Sequence, residues 1–289
     1  MTTLLVVSPS ALEHQTSLWH PERQERVRAV ERALEEECFT WLVREHAWEV
    51  ALETVALAHP EPYIRTIIDT APQDGLVEID ADTTMSRGTV EAALRAAGAA
   101  LQAVDEVMTG KVVNAFSALR PPGHHAGPAR AMGFCLFNNV AIAARYAQEV
   151  HGAERVAIVD WDVHHGNGTQ DIFWSNPSVL FCSTHQMPLY PGTGAISERG
   201  EHDTVVNAPL RPGDGSDTFR EVPPSCPELR SSGQTSFSYR PGSTLIGAIR
   251  WETFNSRRRT SPGLRESLWI SPIADAAAGW CRYWKAATT

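Results

Sequence analysis

Residues 1 to 221 of this 289-residue chain predict an α/β protein built on a mainly parallel sheet. Two observations carry the prediction. Short apolar runs of strand length alternate with segments of helical spacing, and strings rich in histidine and carboxylate stand directly after those runs. In a sheet of this kind ligands bind beyond the carboxyl ends of the strands, so the polar strings are where chemistry is expected.

The elements follow in order. "TLLVVS" (Thr3 to Ser8) suits a buried strand, and after the "HPER" turn at His20, Val27, Val30 and Leu34 give residues 24 to 36 helical spacing. A long Ala-rich helix is expected over 89 to 109, with Ala92, Ala96, Ala99, Leu101 and Val104 on its apolar face. "NAFSALR" reads as a strand running into a proline-glycine turn. A helix over about Asn138 to Glu149 leads into "RVAIVDWDVH", a central strand, and "VLFCSTH" at 179 to 185 is a further buried strand.

The composition, with 43% hydrophobic and 20% charged residues, is that of a globular chain, and no apolar run reaches the ~18 residues of a membrane span. Met1 to Val7 is too short and too poor in basic charge for a secretory signal, so the cytosol is the expected compartment. The net charge of -9 argues against a direct nucleic-acid partner. Five cysteines without a CxxC spacing argue against a disulfide framework and a thiolate zinc site.

A break falls near Glu221. Residues 1–221 hold 30 acidic and 16 basic side chains, and residues 222–289 hold 4 and 9. All eleven histidines precede the break, whereas four of nine tryptophans and ten serines crowd the 68 residues after it. Two such segments do not share one composition. Arg257, Arg258 and Arg259 in the second read as a solvated charge run.

Three strand ends hold candidate chemistry. In "RPPGHHA", Pro121, Pro122 and Gly123 stiffen a turn presenting His124 and His125, a pair suited to proton transfer. In "DWDVHHGNGT", Asp162 and His164 alternate as on an extended strand and so project from one face, offering two ligands to one metal. Asp with His, and no cysteine, suits zinc or another borderline divalent ion at an open site. Asp160 shares that face, and Asn167 in the glycine loop is placed to orient imidazoles with it. In "HQMPLYPGTG", Tyr190 stands beside a Pro-Gly turn and walls a pocket that Phe134 of "MGFCLFNN" faces. Isolated histidines at strand ends commonly make only structural hydrogen bonds, but two HH pairs, each beside a turn glycine and one flanked by DxD, favour a functional site.

These strings carry a family resemblance. "HPER" at 20 to 23, "RPPGHHA" at 120 to 126, "GFCLFNNVAIAA" at 133 to 144, "DWDVHHGNGTQ" at 160 to 170 and "YPGTG" at 190 to 194 resemble the zinc-dependent histone deacetylase and acetylpolyamine amidohydrolase family, most of all its class II-like and bacterial members. The likeness runs from about residue 3 to residue 221. It implies an arginase/deacetylase-like three-layer fold, cut short at its C-terminal part. It also implies zinc ligation by Asp162 and His164, a catalytic pair in His124 and His125, and Asp160 and Asn167 orienting that pair. Phe134 and Tyr190 match the walls of an acyl-lysine channel, Asp82 a rim residue that holds substrate backbone, and Asp160, Ser183 and Thr184 a structural potassium site. The implied chemistry is hydrolysis of an acetylated lysine or polyamine, His124 taking a proton from water and His125 returning one to the leaving amine.

Two parts of the family pattern are missing: the carboxylate ligand of an "AGFDAH" segment and the oxyanion-stabilising tyrosine of a "GGY" segment, both expected after residue 221. They reappear when the tail is read one frame away, the third base of each codon joined to the first two of the next. "YRPGSTLIGAIRWE" (Tyr239 to Glu252) is then compatible with "SAGFDAHRRDPLG", and "GWCRYWKAATT" (Gly279 to Thr289) with "LVPVLEGGYD". Tryptophan has one codon, so Trp251 before Glu252 must give glycine and Trp284 before Lys285 must give glutamate, as both motifs require. Residues 222–289 are therefore expected to be a frameshifted tail behind an incomplete deacetylase domain, 1–221. Two classes stay open, a deacetylase and a non-catalytic acyl-lysine-binding remnant. A manganese hydrolase of arginase type is disfavoured, because two metals need more carboxylates than "DWDVHH" supplies.

Overall fold

The structure, a computed structural model, describes residues 2–215, 218–219 and 248–249. The expected tail, 222–289, lies outside the described residues except for Ala248 and Ile249. The order is β1 (Thr3–Val7), α1 (Gln24–Leu34), β2 (Val43–His46), α2 (Leu52–Val55), α3 (Glu61–Thr70), β3 (Val77–Asp80), β4 (Thr83–Met85), α4 (Thr89–Met108), β5 (Asn114–Ser117), α5 (Asn139–His151), β6 (Val156–Asp160), α6 (Asn167–Phe173), β7 (Val179–Gln186), β8 (Val205–Leu210) and β9 (Ala248–Ile249).

Three layers follow from the alternation of side chains along β1. Leu4 and Val6 point into the main core with the Ala-rich face of α4 and with Ala141, Ile142 and Ala144 of α5. Leu5 points the other way, onto Val30 and Leu34 of α1 and onto Phe39. The sheet is thus covered on both faces, which is why β1 is apolar throughout. Helix α5 starts where the Asn138 side chain accepts the Ala141 N–H and stops at Gly152 in the left-handed conformation.

The strands form two larger sheets, β2-β1-β5 and β8-β7-β6-β9, with β3 and β4 as a separate antiparallel pair. Every ladder of the larger sheets is parallel except the two-residue β6–β9 contact. Parallel ladders need crossovers: α1 lies between β1 and β2, α4 leads into β5, and α6 lies between β6 and β7, while α4 and α5 pack on each other and on β5 and β6 respectively. Among the described residues no helix is long and apolar enough to cross a membrane.

Two sequence expectations are corrected. The strand expected to run on through Asp162 and His164 ends at Asp160, because Asp162 Oδ1 accepts the His164 N–H at 2.7 Å and bends the chain. Asn167, expected in the glycine loop, is the first residue of α6. Cys135 and Cys182 are free and buried.

Candidate active site

The loop after β5 and the loop after β6 meet at the carboxyl ends of the two sheets. His124 Nδ1 donates to Asp160 Oδ2 at 2.8 Å, and His125 Nδ1 donates to Asn167 Oδ1 at 2.8 Å. Both acceptors lack a proton to give back, so each ring carries its hydrogen on Nδ1 and turns Nε2 toward the site. The rings lie 4.0 Å apart between centroids, and all four residues are buried.

The two partners differ in charge, and this separates the histidines. Burial pulls the His124 imidazole down, but the Asp160 carboxylate outweighs it and the net shift is upward. Asp160 is held low in return: burial opposes its charge, and His124 more than compensates. His125 is pulled well below the usual histidine range by burial and by the neighbouring His124, which the neutral Asn167 amide cannot offset. Two adjacent, buried imidazoles therefore have opposite preferences for a proton.

Asp162 and His164 stand on the other side of the site. Asp162 is buried, His164 is half-buried, and Asp162 Oδ1 lies 3.2 Å from His164 Nδ1. The bend that broke the expected strand brings these donors together more closely than alternate strand positions would. Among the described residues no group of three or more His, Cys, Asp or Glu side chains is arranged to hold a metal. Asp162 and His164 stand there as a pair.

Tyr190 covers the site, its ring edge-on to His125 at 5.2 Å and to His164 at 6.0 Å between centroids. Burial, then the charge of Asp82, pushes its hydroxyl well up, so it stays protonated. Phe134 meets His20 edge-on at 4.8 Å, and its backbone has a positive φ of 69°. That conformation is held from the β3–β4 hairpin. Asp82 Oδ1 accepts the Gly133 N–H and Thr83 Oγ1 accepts the Phe134 N–H, each at 3.0 Å. Gly133 has no freedom to be another residue, because a Cβ there would collide with the His125 ring. Asp82 is thus engaged with the loop that carries Phe134, and its backbone carbonyl accepts from His20 Nε2.

Ser183 sits opposite Asp160 in the β6–β7 ladder and its hydroxyl pairs with His185 Nδ1 at 2.9 Å. Thr184 follows it on β7, paired with Ala208 of β8. Behind them His165 donates from Nε2 to Gln170 Oε1 and accepts at Nδ1 from Thr193. Burial and His185 lower His165 to about 4.

The sequence reading missed the anchor of the first loop. Arg120 is buried and donates to both carboxylate oxygens of Glu22, as well as to the carbonyls of Ala11 and His14. Glu22 also faces His14 Nε2 at 3.4 Å. Burial raises the Glu22 carboxyl, but His14 and Arg120 outweigh it and hold it at about 2. Glu22 and Arg120, each beside a proline in the turn strings "HPER" and "RPPGHHA", were the available signal.

The family described as the histone deacetylase domain matches residues 20–226. A protein of Archaeoglobus fulgidus named probable deacetylase is 43% identical over 229 residues, covering 77% of this chain and 63% of its own length. The polyamine deacetylase HDAC10 of Homo sapiens is 43% identical over 176 residues, 57% of this chain and 26% of its own. The solved HD domain of HDA15 superposes with a TM-score of 0.70 at 37% identity, covering 74% of this chain and 64% of that one. This chain therefore spans less than two thirds of each of these relatives.

Proposed function

The chain belongs to the histone deacetylase family, a family of hydrolases with an arginase/deacetylase-like α/β fold, and from that premise we propose that residues 1–221 hold most of a zinc-dependent site for hydrolysing an acetylated lysine or polyamine. The observation that carries the proposal is the pairing of His124 with a carboxylate and His125 with an amide, 4.0 Å apart, beside Asp162 and His164. A structural pair of histidines has no need of opposite proton preferences.

The residues act as follows. His125, depressed and bare at Nε2, is neutral at pH 7 and takes the proton of the attacking water. His124, whose hold on a proton Asp160 strengthens, stabilises the negative charge that develops nearby and returns a proton to the leaving amine. This reverses the order that the family resemblance implied, and the reason is the partner: a carboxylate stabilises an imidazolium and an amide does not. Tyr190 and Phe134 bound the channel for the acyl chain, Asp82 fixes the Phe134 loop, and Asp160, Ser183 and Thr184 form a potassium site beneath the histidines.

Zinc would be held by Asp162 and His164 and, when bound, polarises the acetyl carbonyl. Catalytic zinc takes three protein ligands, and the described residues supply two. The described residues therefore do not complete the zinc site, and the sequence holds no "GGY" tyrosine; loss of such a donor costs about a hundredfold or more. We read residues 222–289 as a frameshifted tail, and this copy as inactive for that reason.

The test begins with the coding sequence, which must hold "AGFDAH" and "GGYD" intact in the other frame with an insertion or deletion near the codons of Glu221 and Val222. The chain and its frame-restored form are then compared for zinc content and for acetate release from an acetyl-lysine peptide. Zinc and turnover are expected in the restored protein alone. One bound zinc and turnover in the present chain would overturn the reading, and affinity for the peptide without acetate release in both would favour the binding remnant.

A further inference from the structure

A buried polar set adjoins the loop that carries the first histidine pair, and the chemistry above does not use it. His59, in "LAHPEPYI" between α2 and α3, is buried, with the rings of Tyr63 and Phe137 at 5.4 and 5.6 Å between centroids. Its Nε2 accepts the Asn138 backbone N–H at 2.8 Å, so its hydrogen is on Nδ1, which donates to the Pro128 carbonyl at 3.0 Å. A ring so engaged is neutral, and burial lowers its affinity for a second proton, against the pull of the Pro128 and Gly127 carbonyls.

Asn138 joins the histidine loop to two helices. Its Oδ1 accepts the Ala141 N–H and caps α5, and its Nδ2 donates to the Ala126 carbonyl and to Thr169 Oγ1, each at 3.1 Å. Thr169 is on α6, and its backbone N–H donates to the His124 carbonyl at 3.1 Å. The carbonyls of both residues that flank His125 are therefore held, one by Asn138 and one by a threonine that Asn138 also holds. Asn167, the partner of the His125 ring, is two residues before Thr169 on the same helix. Between them a Cβ on Gly168 would collide with the Ala126 carbonyl, so α6 lies directly against the loop backbone. A shift of α6 against that loop alters the His125–Asn167 bond.

The N–H of an N-cap residue has no partner inside its own helix. In a capping box the side chain at the third helical position reaches back to it; that position here is Ala141, which has no polar group to offer. His59 supplies the acceptor instead, from 79 residues away. We propose that Asn138 is a positioning residue for the proton acceptor of the site, holding the backbone of His125 to the helix that presents Asn167, and that His59 Nε2 fixes Asn138 for that task. The inference rests on the reading of His125 as the base and deepens it by naming what aims that ring.

The experiment reads the Nδ1–H signal of His125, the proton shared with Asn167, in nitrogen–proton correlation spectra of the full chain. A glutamine amide overlies the Nε2 side of an imidazole and an asparagine amide its Nδ1 side. His59→Gln therefore keeps an acceptor for Asn138, and His59→Asn keeps only the donor to Pro128. His59→Asn should move the His125 signal upfield or abolish it, and His59→Gln should leave it in place. Asn138→Ser, which keeps a capping oxygen and loses the amide donors, should act as His59→Asn does. Gly152→Ala strains the far end of α5, at a φ of 66° with open space around the new Cβ, and should lower the urea midpoint without moving the signal. A signal unmoved in both His59→Asn and Asn138→Ser overturns the inference. So do equal losses in the two His59 variants, a move of the same size in Gly152→Ala, or no such signal in the unsubstituted chain. Acetate release by the frame-restored enzyme tests the deacetylase reading separately: turnover with the signal unmoved removes this inference alone, and a signal that follows the variants without turnover removes that reading and keeps the placement of the ring.

Discussion

His124 and His125 follow β5, and His164 and His165 follow β6, so the molecule holds the same dipeptide twice at the ends of two parallel strands. The first pair is buried and hung from outside, with Arg120 anchored on Glu22 just before it and Asp160 at the end of β6 and Asn167 at the start of α6 reaching it. In the second pair the histidines part company. His164 is half-buried and turns to Asp162, and His165 is buried among Thr193, Gln170 and His185. One loop thus presents two imidazoles to the same space, and the other presents one and buries one. The dipeptide does not set the role; the hydrogen-bond partner does.

The largest effect expected from breaking this comparison lies at the anchor of the first loop. Glu22→Gln leaves the Arg120 guanidinium buried without its counter-charge, and loss of one member of such a pair costs about 3–5 kcal/mol. Urea unfolding of the two proteins measures it. The same pair sets an acid limb. The Glu22 carboxyl is held at about 2, against an ordinary 4.5. A depressed carboxyl contributes stability that is full above pH 4.5 and is lost as pH falls toward 2, by about 3 kcal/mol. That limb should be shallower in Glu22→Gln; an identical pH profile for the two proteins would show that Glu22 does not titrate in the folded state.

Asp160→Asn comes next, since it gives His124 the kind of partner that His125 has. Burial is then unopposed, and the His124 imidazole should drop from above its ordinary range to below it, read by nitrogen chemical shifts across pH. A hydrogen bond to a charged group is worth about 1.5–3 kcal/mol, so the stability loss at neutral pH should fall in that range. If His124 kept its raised value, Asp162 and not Asp160 would be the carboxylate that holds its proton. A smaller change at the same contact is Gly166→Ala. A Cβ there would fall on Asp160 Oδ2, pushing the carboxylate from His124, and the His124 shift should move in the same direction as in Asp160→Asn and by less.

The two histidine strings that meet at the carboxyl ends of β5 and β6 were legible because each follows an apolar run, and apolar runs of four to eight residues are the signal a buried parallel strand gives. The same local logic failed where the chain bends by side-chain capture: no periodicity foretells that Asp162 will take the His164 N–H and end the strand. It failed again at β2, whose "VREH" lies mostly exposed at a sheet edge and lacks apolar alternation. The Glu22–Arg120 pair spans 98 residues, and nothing local reports a contact of that separation.

The finest test of the comparison exchanges amide for carboxylate on the other member of the first pair. Asn167→Asp keeps the size of the side chain and the Nδ1 hydrogen bond of His125, and adds one charge 2.8 Å from the ring. An opposite charge at that distance raises an imidazole by about 1–3 units. His125 should therefore climb out of its depressed range, while His124, now beside a more highly charged neighbour, should fall slightly. Folding should change by less than about 1 kcal/mol, because the new carboxylate carries its own counter-ion in the His125 imidazolium. In the frame-restored enzyme the variant should shift the acidic limb of turnover upward in pH, since more of His125 is then protonated at any given pH and unable to take a proton from water. An unmoved limb with a raised His125 would assign the base to His124, the order that the sequence resemblance first implied.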